Sequence, residues 1–171
     1  MPQPTLFIDG YNLLHAAGLA RDTYGPGDLE RARDRLLSLL CELLPEGQPE
    51  KTVLVFDAIN SPGFHGSSSV RQGITVTFPD RGVEADAVLE TLIKQHSAPK
   101  GLTVVSSDHR VQRAIRRRRG TAVDSEAFLR TRRRQAGREK GPEKPPPGPV
   151  PDREVQHWMD ELTDEFGGRR V

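Results

Sequence analysis

The chain predicts an α/β fold, a doubly wound and mostly parallel sheet flanked by helices. Three observations carry this. Short apolar runs at Thr5 to Ile8, Thr52 to Phe56 and Leu102 to Val105 read as strands buried on both faces, the kind found in parallel sheets. Segments with apolar residues at helical spacing alternate with them, which is the pattern of repeated strand–helix units. The runs close on Asp9, Asp57 and Asp108, and in open α/β sheets ligands bind just beyond the carboxyl ends of the strands.

The first strand ends abruptly in Asp9-Gly10-Tyr11-Asn12. Asp9 has two readings, a carboxylate delivered to a site or the cap of the short helix or turn that follows. Gly25-Pro26-Gly27 then breaks the chain and Asp28 caps a helix over Leu29 to Leu44. Its leucines share one broad face, with Arg31, Arg35 and Glu42 opposite, and Pro45 stops it. Cys41, the single cysteine, sits in this helix and reads as a small core residue in a reducing compartment. The second strand ends at Asp57 and leads into a polar loop from Asn60 to Ser69, long enough to suggest ligand contact. Gly73 to Phe78 alternates as a strand.

A helix over residues 83–96 carries Glu84 and Asp86 in its first turn, where the helix dipole also favours acids, and offers Val83, Ala87, Val88 and Leu92 for burial. Strand 102–106 is followed by a helix from His109 to about Arg118 with Val111, Ala114 and Ile115 buried. A strand at Thr121 to Val123 and a helix from Ser125 to about Arg134 complete a domain of residues 1–134. Residues 135–151 form a Pro/Gly/charged linker around Pro145-Pro146-Pro147. In residues 152–171, Val155, Trp158, Met159, Leu162 and Phe166 recur at helical spacing on an acidic segment. This predicts a C-terminal amphipathic helix that docks on its own domain or on a protein partner.

Net charge is +1 over 171 residues, but its distribution is uneven. Residues 110 to 140 carry 12 Lys/Arg against 3 Asp/Glu, leaving the rest of the chain at −8. Runs such as Arg116-Arg117-Arg118-Arg119 have few acids nearby to pair with, so a polyanion is the expected partner. No apolar run is long enough to span a bilayer and the N-terminus lacks a signal sequence, which predicts a cytoplasmic protein with no membrane partner.

If the strands are parallel, Asp9, Asp57, Asp86, Asp108 and Glu84 converge on one sheet edge, since neighbouring strands lie only about 4.8 Å apart. Carboxylates packed together must take up protons or be neutralised by cations. Oxygen-only ligation suits Mg²⁺ or Mn²⁺, because the five histidines and one cysteine show no zinc spacing. Such equipment serves phosphoryl transfer to water, with the metal neutralising phosphate and acidifying a water. The phosphate-loop, dinucleotide-turn and nucleophile-elbow signatures are absent.

Asp9-Gly10-Tyr11-Asn12, Val55-Phe56-Asp57-Ala58, Glu84-Ala85-Asp86 and Ser106-Ser107-Asp108 resemble the successive motifs of the YacP-like NYN domain, a branch of the PIN-like metal-dependent nucleases. The resemblance covers about residues 4 to 130. It implies a PIN-like α/β fold and an Mg²⁺- or Mn²⁺-dependent endoribonuclease acting on single-stranded RNA. The bacterial members resembled are linked to cleavage of messenger RNA on the ribosome, which makes RNA and the ribosome the partners to test. By motif position Asp9, Asp86 and Asp108 match the metal-binding acids, Asp57 matches a further family acid, and Glu84 joins through the Glu-Ala-Asp pattern of related flap nucleases. Asn12 and Ser107 have the amide and hydroxyl to orient Asp9 or a phosphate oxygen. Arg110, Arg113, Arg116 and Arg117 are the candidates for the RNA backbone, and Tyr11 or Phe64 for base stacking. Two competing readings remain, a catalytically silent RNA- or ribosome-binding module and, with less support, a DNA flap-type nuclease.

Overall fold

In the computed structural model the described residues are 5–57 and 65–139. Their strands are β1 (Leu6–Asp9), β2 (Thr52–Val55), β3 (Ser68–Arg71), β4 (Ile74–Thr77), β5 (Thr103–Val105) and β6 (Thr121–Val123). The helices are α1 (Gly10–Ala16), α2 (Asp28–Leu43), α3 (Ala85–Gln95), α4 (His109–Arg117) and α5 (Ser125–Glu139). One sheet in the order β3-β4-β2-β1-β5-β6 results, parallel throughout except for β3 against β4.

The central strands are apolar on both sides because both sides are covered. Leu6, Ile8, Leu54 and Val105 face a cluster with Leu36, Leu37 and Leu40 of α2 and Phe128 and Leu129 of α5. Phe7, Val53, Val55 and Val104 face Leu89 and Ile93 of α3 with Val111 and Ile115 of α4. Each fully buried Leu, Ile or Phe contributes about 2 kcal/mol relative to an exposed one, so the two clusters hold the sheet from both faces. The chain steps outward from β1 through β2 to β4, then crosses back to β5 and β6 on the other side. The strand order therefore reverses beside β1, and the crevice at the carboxyl ends of β1 and β5 is the topological switch point of the sheet.

The structure departs from the sequence reading in four places. Ser68 and Ser69, read as loop, belong to β3, which pairs with β4 through a two-residue turn at Gln72 (φ 51°) and Gly73 (φ 84°). Two successive positive φ values make the hairpin turn that usually shows as Asn-Gly. With glutamine in place of asparagine and a run of serines in place of alternation, the strand gave little signal. The buried face of α3 is Ala85, Leu89 and Ile93, while Val83 is exposed before the helix and Ala87, Val88 and Leu92 are only partly covered. Asp28 is the first residue of α2, with Gly27 at the cap. The Asp28 carboxylate instead accepts from the Gly25 N–H at 2.9 Å. Helix α5 runs to Glu139, five residues past the expected end, because Gln135 to Glu139 includes good helix formers and the proline cluster comes later.

Cys41 is half-buried against the α2 cluster, and its thiol donates to the Gln72 carbonyl at 3.5 Å. Among the described residues no helix is long and apolar enough to cross a membrane. Half of the polar loop, residues 60–64 with Phe64 among them, and the expected linker and amphipathic helix from Lys140 onward lie outside the described residues.

Candidate active site: a carboxylate-lined cleft at the switch point

Asp9 is the last residue of β1 and the N-cap of α1, so the capping reading of its sequence position holds. It is only 4 % exposed. One carboxylate oxygen accepts from the Asn12 backbone N–H at 3.1 Å, and the other accepts from the Asn12 side-chain amide at 2.6 Å and the Ser106 hydroxyl at 3.2 Å. Burial pushes its pKa up, and these donors, which favour the ionised form, partly offset that rise. Gly10 permits the arrangement: an added Cβ there would overlap the Phe56 ring and sit 2.9 Å from the Val55 carbonyl, so only glycine lets α1 start this close to the end of β2.

The second strand end is organised by Ser106, which is fully buried. Its oxygen accepts from the Asn12 amide and from the Asp108 backbone N–H, both at 3.0 Å, which leaves its single proton for Asp9. Asp108 in turn caps α4, its carboxylate accepting from the backbone N–H groups of Arg110 and Val111. Asp86 comes from the first turn of α3. Its pKa is raised to about 6, by burial first and then by the charges of Asp9 and Asp108, with Arg110 pulling the other way. Glu84, just before α3, makes no cap bond and stays exposed.

Asp9, Asn12, Asp57, Glu84, Asp86 and Asp108, together with Tyr11 and Ala85, line one open cleft of about 330 Å³. Five carboxylates from β1, the end of β2, α3 and α4 thus meet at the switch point. Arg110 stands at its rim, its guanidinium donating to both Glu90 oxygens at 2.7 and 3.1 Å and lying 3.9 Å from Glu84. Arg113, Arg116 and Arg117 point away along α4 and are not part of the cleft lining; Arg116 donates to Gln112 at 3.2 Å.

Ser107 does not face Asp9. Its hydroxyl donates to Asp124 at 2.9 Å, and Asp124 caps α5 through the N–H groups of Glu126 and Ala127. The serine beside Asp9 is Ser106, which the sequence reading missed, though a signal for it existed. Phe7 and Val104 face the same cluster, and side chains alternate along a strand, so Asp9 and Ser106 two positions on share that face. Extending the pairing of Ile8 with Val105 by one residue sets them side by side.

A carboxylate lining in which the charges of Asp9 and Asp108 help to raise the pKa of Asp86 suits a hard divalent cation, and Asp9, Asp86 and Asp108 would hold it. Among the described residues no three acids or imidazoles approach closely enough to chelate an ion by themselves. An ion here would take part of its shell from water or substrate oxygens, as Mg²⁺ commonly does.

The family model of the YacP-like NYN domain matches residues 6–147. The crystal structure of Rae1 (YacP) from Bacillus subtilis superposes with a TM-score of 0.60 at 22 % identity, covering 95 % of this chain and 83 % of that one. A tryptophan-to-leucine mutant of the same Bacillus subtilis protein gives 0.59 at 21 %, covering 96 % and 86 %. At that identity the likeness carries the fold alone. No curated protein matches the chain. NYN domains are PIN-like, nuclease-type RNA-binding domains that generally use divalent metal ions. With its mostly parallel sheet, its cleft at the switch point and a match over most of its length, the chain belongs to the YacP-like NYN domain family.

Proposed function

We propose that this protein is an endoribonuclease that hydrolyses single-stranded RNA and depends on Mg²⁺ or Mn²⁺. The observation that carries it is the approach of Asp9, Asp86 and Asp108 around one cleft, close enough that Asp9 and Asp108 oppose the ionisation of Asp86. When bound, the cation would neutralise the scissile phosphodiester and acidify a water for in-line attack.

The chain's own residues prepare the cleft for this. Asn12 and Ser106 fix the Asp9 carboxylate in direction and favour its ionised form, against the effect of its burial. The α3 and α4 backbones fix Asp86 and Asp108, and Asp57 and Glu84 extend the acidic wall. Arg110, anchored by Glu90, offers a cation at the rim for the RNA backbone. Arg113, Arg116 and Arg117 would continue that contact outside the cleft.

Cleavage of an end-labelled RNA by the wild type and by Asp9→Asn, with and without chelator, is the test. The expected result is cleavage by the wild type that chelator stops and Asp9→Asn lacks. Equal cleavage in all four conditions overturns the assignment, and metal-independent binding without cleavage moves the protein to a silent RNA-binding module. A matched DNA strand separates the flap-nuclease reading, and messenger RNA offered free and on translating ribosomes tests the ribosome as a partner.

A further inference from the structure

Acids and one arginine account for the phosphodiester in the cleft, and of the two aromatic residues expected to stack a base, Tyr11 and Phe64, Tyr11 lies among the described residues. The described aromatic residues are mostly committed elsewhere. Phe7, Phe56, Phe78 and Phe128 are buried in the two clusters, and Tyr24 packs against the first of them while its hydroxyl accepts from the Arg21 N–H at 3.0 Å. Tyr11 alone among them lines the cleft. It lies on the first turn of α1, two residues after Asp9, and one turn further on is His15, exposed, with its ring centroid 6.4 Å away at 39°.

We propose that Tyr11, extended by His15, is the stacking platform for an unpaired nucleobase next to the scissile phosphate. The inference rests on the ribonuclease reading and adds a base subsite to it. A rigid aromatic face beside an acidic cleft is what a single strand needs: every base has a π-face, so stacking holds the strand without reading its sequence. The phosphate is then placed by the position of the base and not by the flexible backbone alone.

The wall of the cleft at Asp57 is itself held from the core. Arg33 of α2 is 5 % exposed, with its guanidinium 5.0 Å from the centroids of both the Phe56 and Phe78 rings. It donates to the carbonyl of Asp57, another cleft residue, at 3.5 Å. A cation held between two core rings and bonded to a cleft residue stiffens the wall of the cleft at Asp57.

The test is equilibrium binding in chelator, where cleavage plays no part. Short unstructured oligoribonucleotides are compared with abasic strands of the same length. The wild type is expected to bind the base-bearing strand more tightly. Tyr11→Ala should remove roughly tenfold of that affinity and leave abasic binding unchanged, while Tyr11→Phe keeps most of it. If Tyr11→Ala keeps the full wild-type gap, or the wild type shows no gap, the platform is overturned and the ribonuclease reading stands. If the wild type binds no strand at all, the platform is overturned too, and the ribonuclease reading is decided by cleavage with metal present.

Discussion

Ser106 has one proton to give, and its two incoming hydrogen bonds decide that it goes to Asp9. Ser106→Ala would leave the buried Asn12 amide and Asp108 N–H short of an acceptor, a loss of about 1–3 kcal/mol of stability. It would also free Asp9 to turn. Mg²⁺ or Mn²⁺ binding by calorimetry should weaken roughly tenfold, in the range typical of residues that orient a metal ligand; unchanged metal affinity would make Ser106 a purely structural link. Asp86 offers a second residue-scale test. Its folded pKa of about 6 lies above its ordinary value of 3.8, so between these pH values the folded protein holds a proton that the unfolded chain has lost. Stability therefore falls as pH rises through that window and stays lowered above it. In chelator Asp86→Asn should be more stable than wild type above pH 6, with the advantage shrinking as pH falls toward the ordinary carboxylate value of 3.8. Equal melting temperatures across that range would mean that neither burial nor the neighbouring acids raise the Asp86 pKa.

At the scale of the element, the four arginines that end α4 do different work. Arg118 donates to the carbonyls of Ile93, at 2.7 Å, and of Lys94, closing the open end of α3. Arg119 takes a left-handed conformation with φ 62° as the chain turns into β6. Arg118→Ala should therefore cost about 1–2 kcal/mol of stability, seen as a lower melting temperature. Replacing Arg116, Arg117 and Arg119 together should spare the fold and flatten the salt dependence of RNA binding. The log–log slope is expected to lose roughly 0.7 for each phosphate contact removed. An unchanged slope would assign that run to solvent.

At the scale of the whole molecule, both core clusters are drawn from residues between Leu6 and Leu129, and residues 1–139 form one compact unit. A chain ended after Lys144 should keep a single cooperative unfolding transition. Residues 152 to 166 carry a charge of −5 opposite in sign to the basic helices, so this truncation should tighten RNA binding at low salt and lose that effect as salt screens it. RNA affinity independent of the truncation would leave a protein partner as the reading for the tail.

Much of this was legible in the chain because it is local. Apolar runs on Leu6, Leu54 and Val104 require strands covered on both faces, and the spacing of Leu29, Leu36 and Leu40 requires a helix with one buried side. Strand-end acids in an α/β sheet must fall on one edge once the strands run parallel, so the cleft residues Asp9, Asp57, Asp86 and Asp108 were readable in advance. What the sequence alone left open were choices between near-identical neighbours and between distant partners. Ser106 and Ser107 differ only in which face of β5 they continue, and the pairing of β5 with β1 made that choice. The α3 face that is buried, Arg118 as a cap rather than an RNA contact, and the seat of Arg33 between the Phe56 and Phe78 rings depend on how one element lies against another. Those are long-range contacts, and the tertiary structure alone decided them.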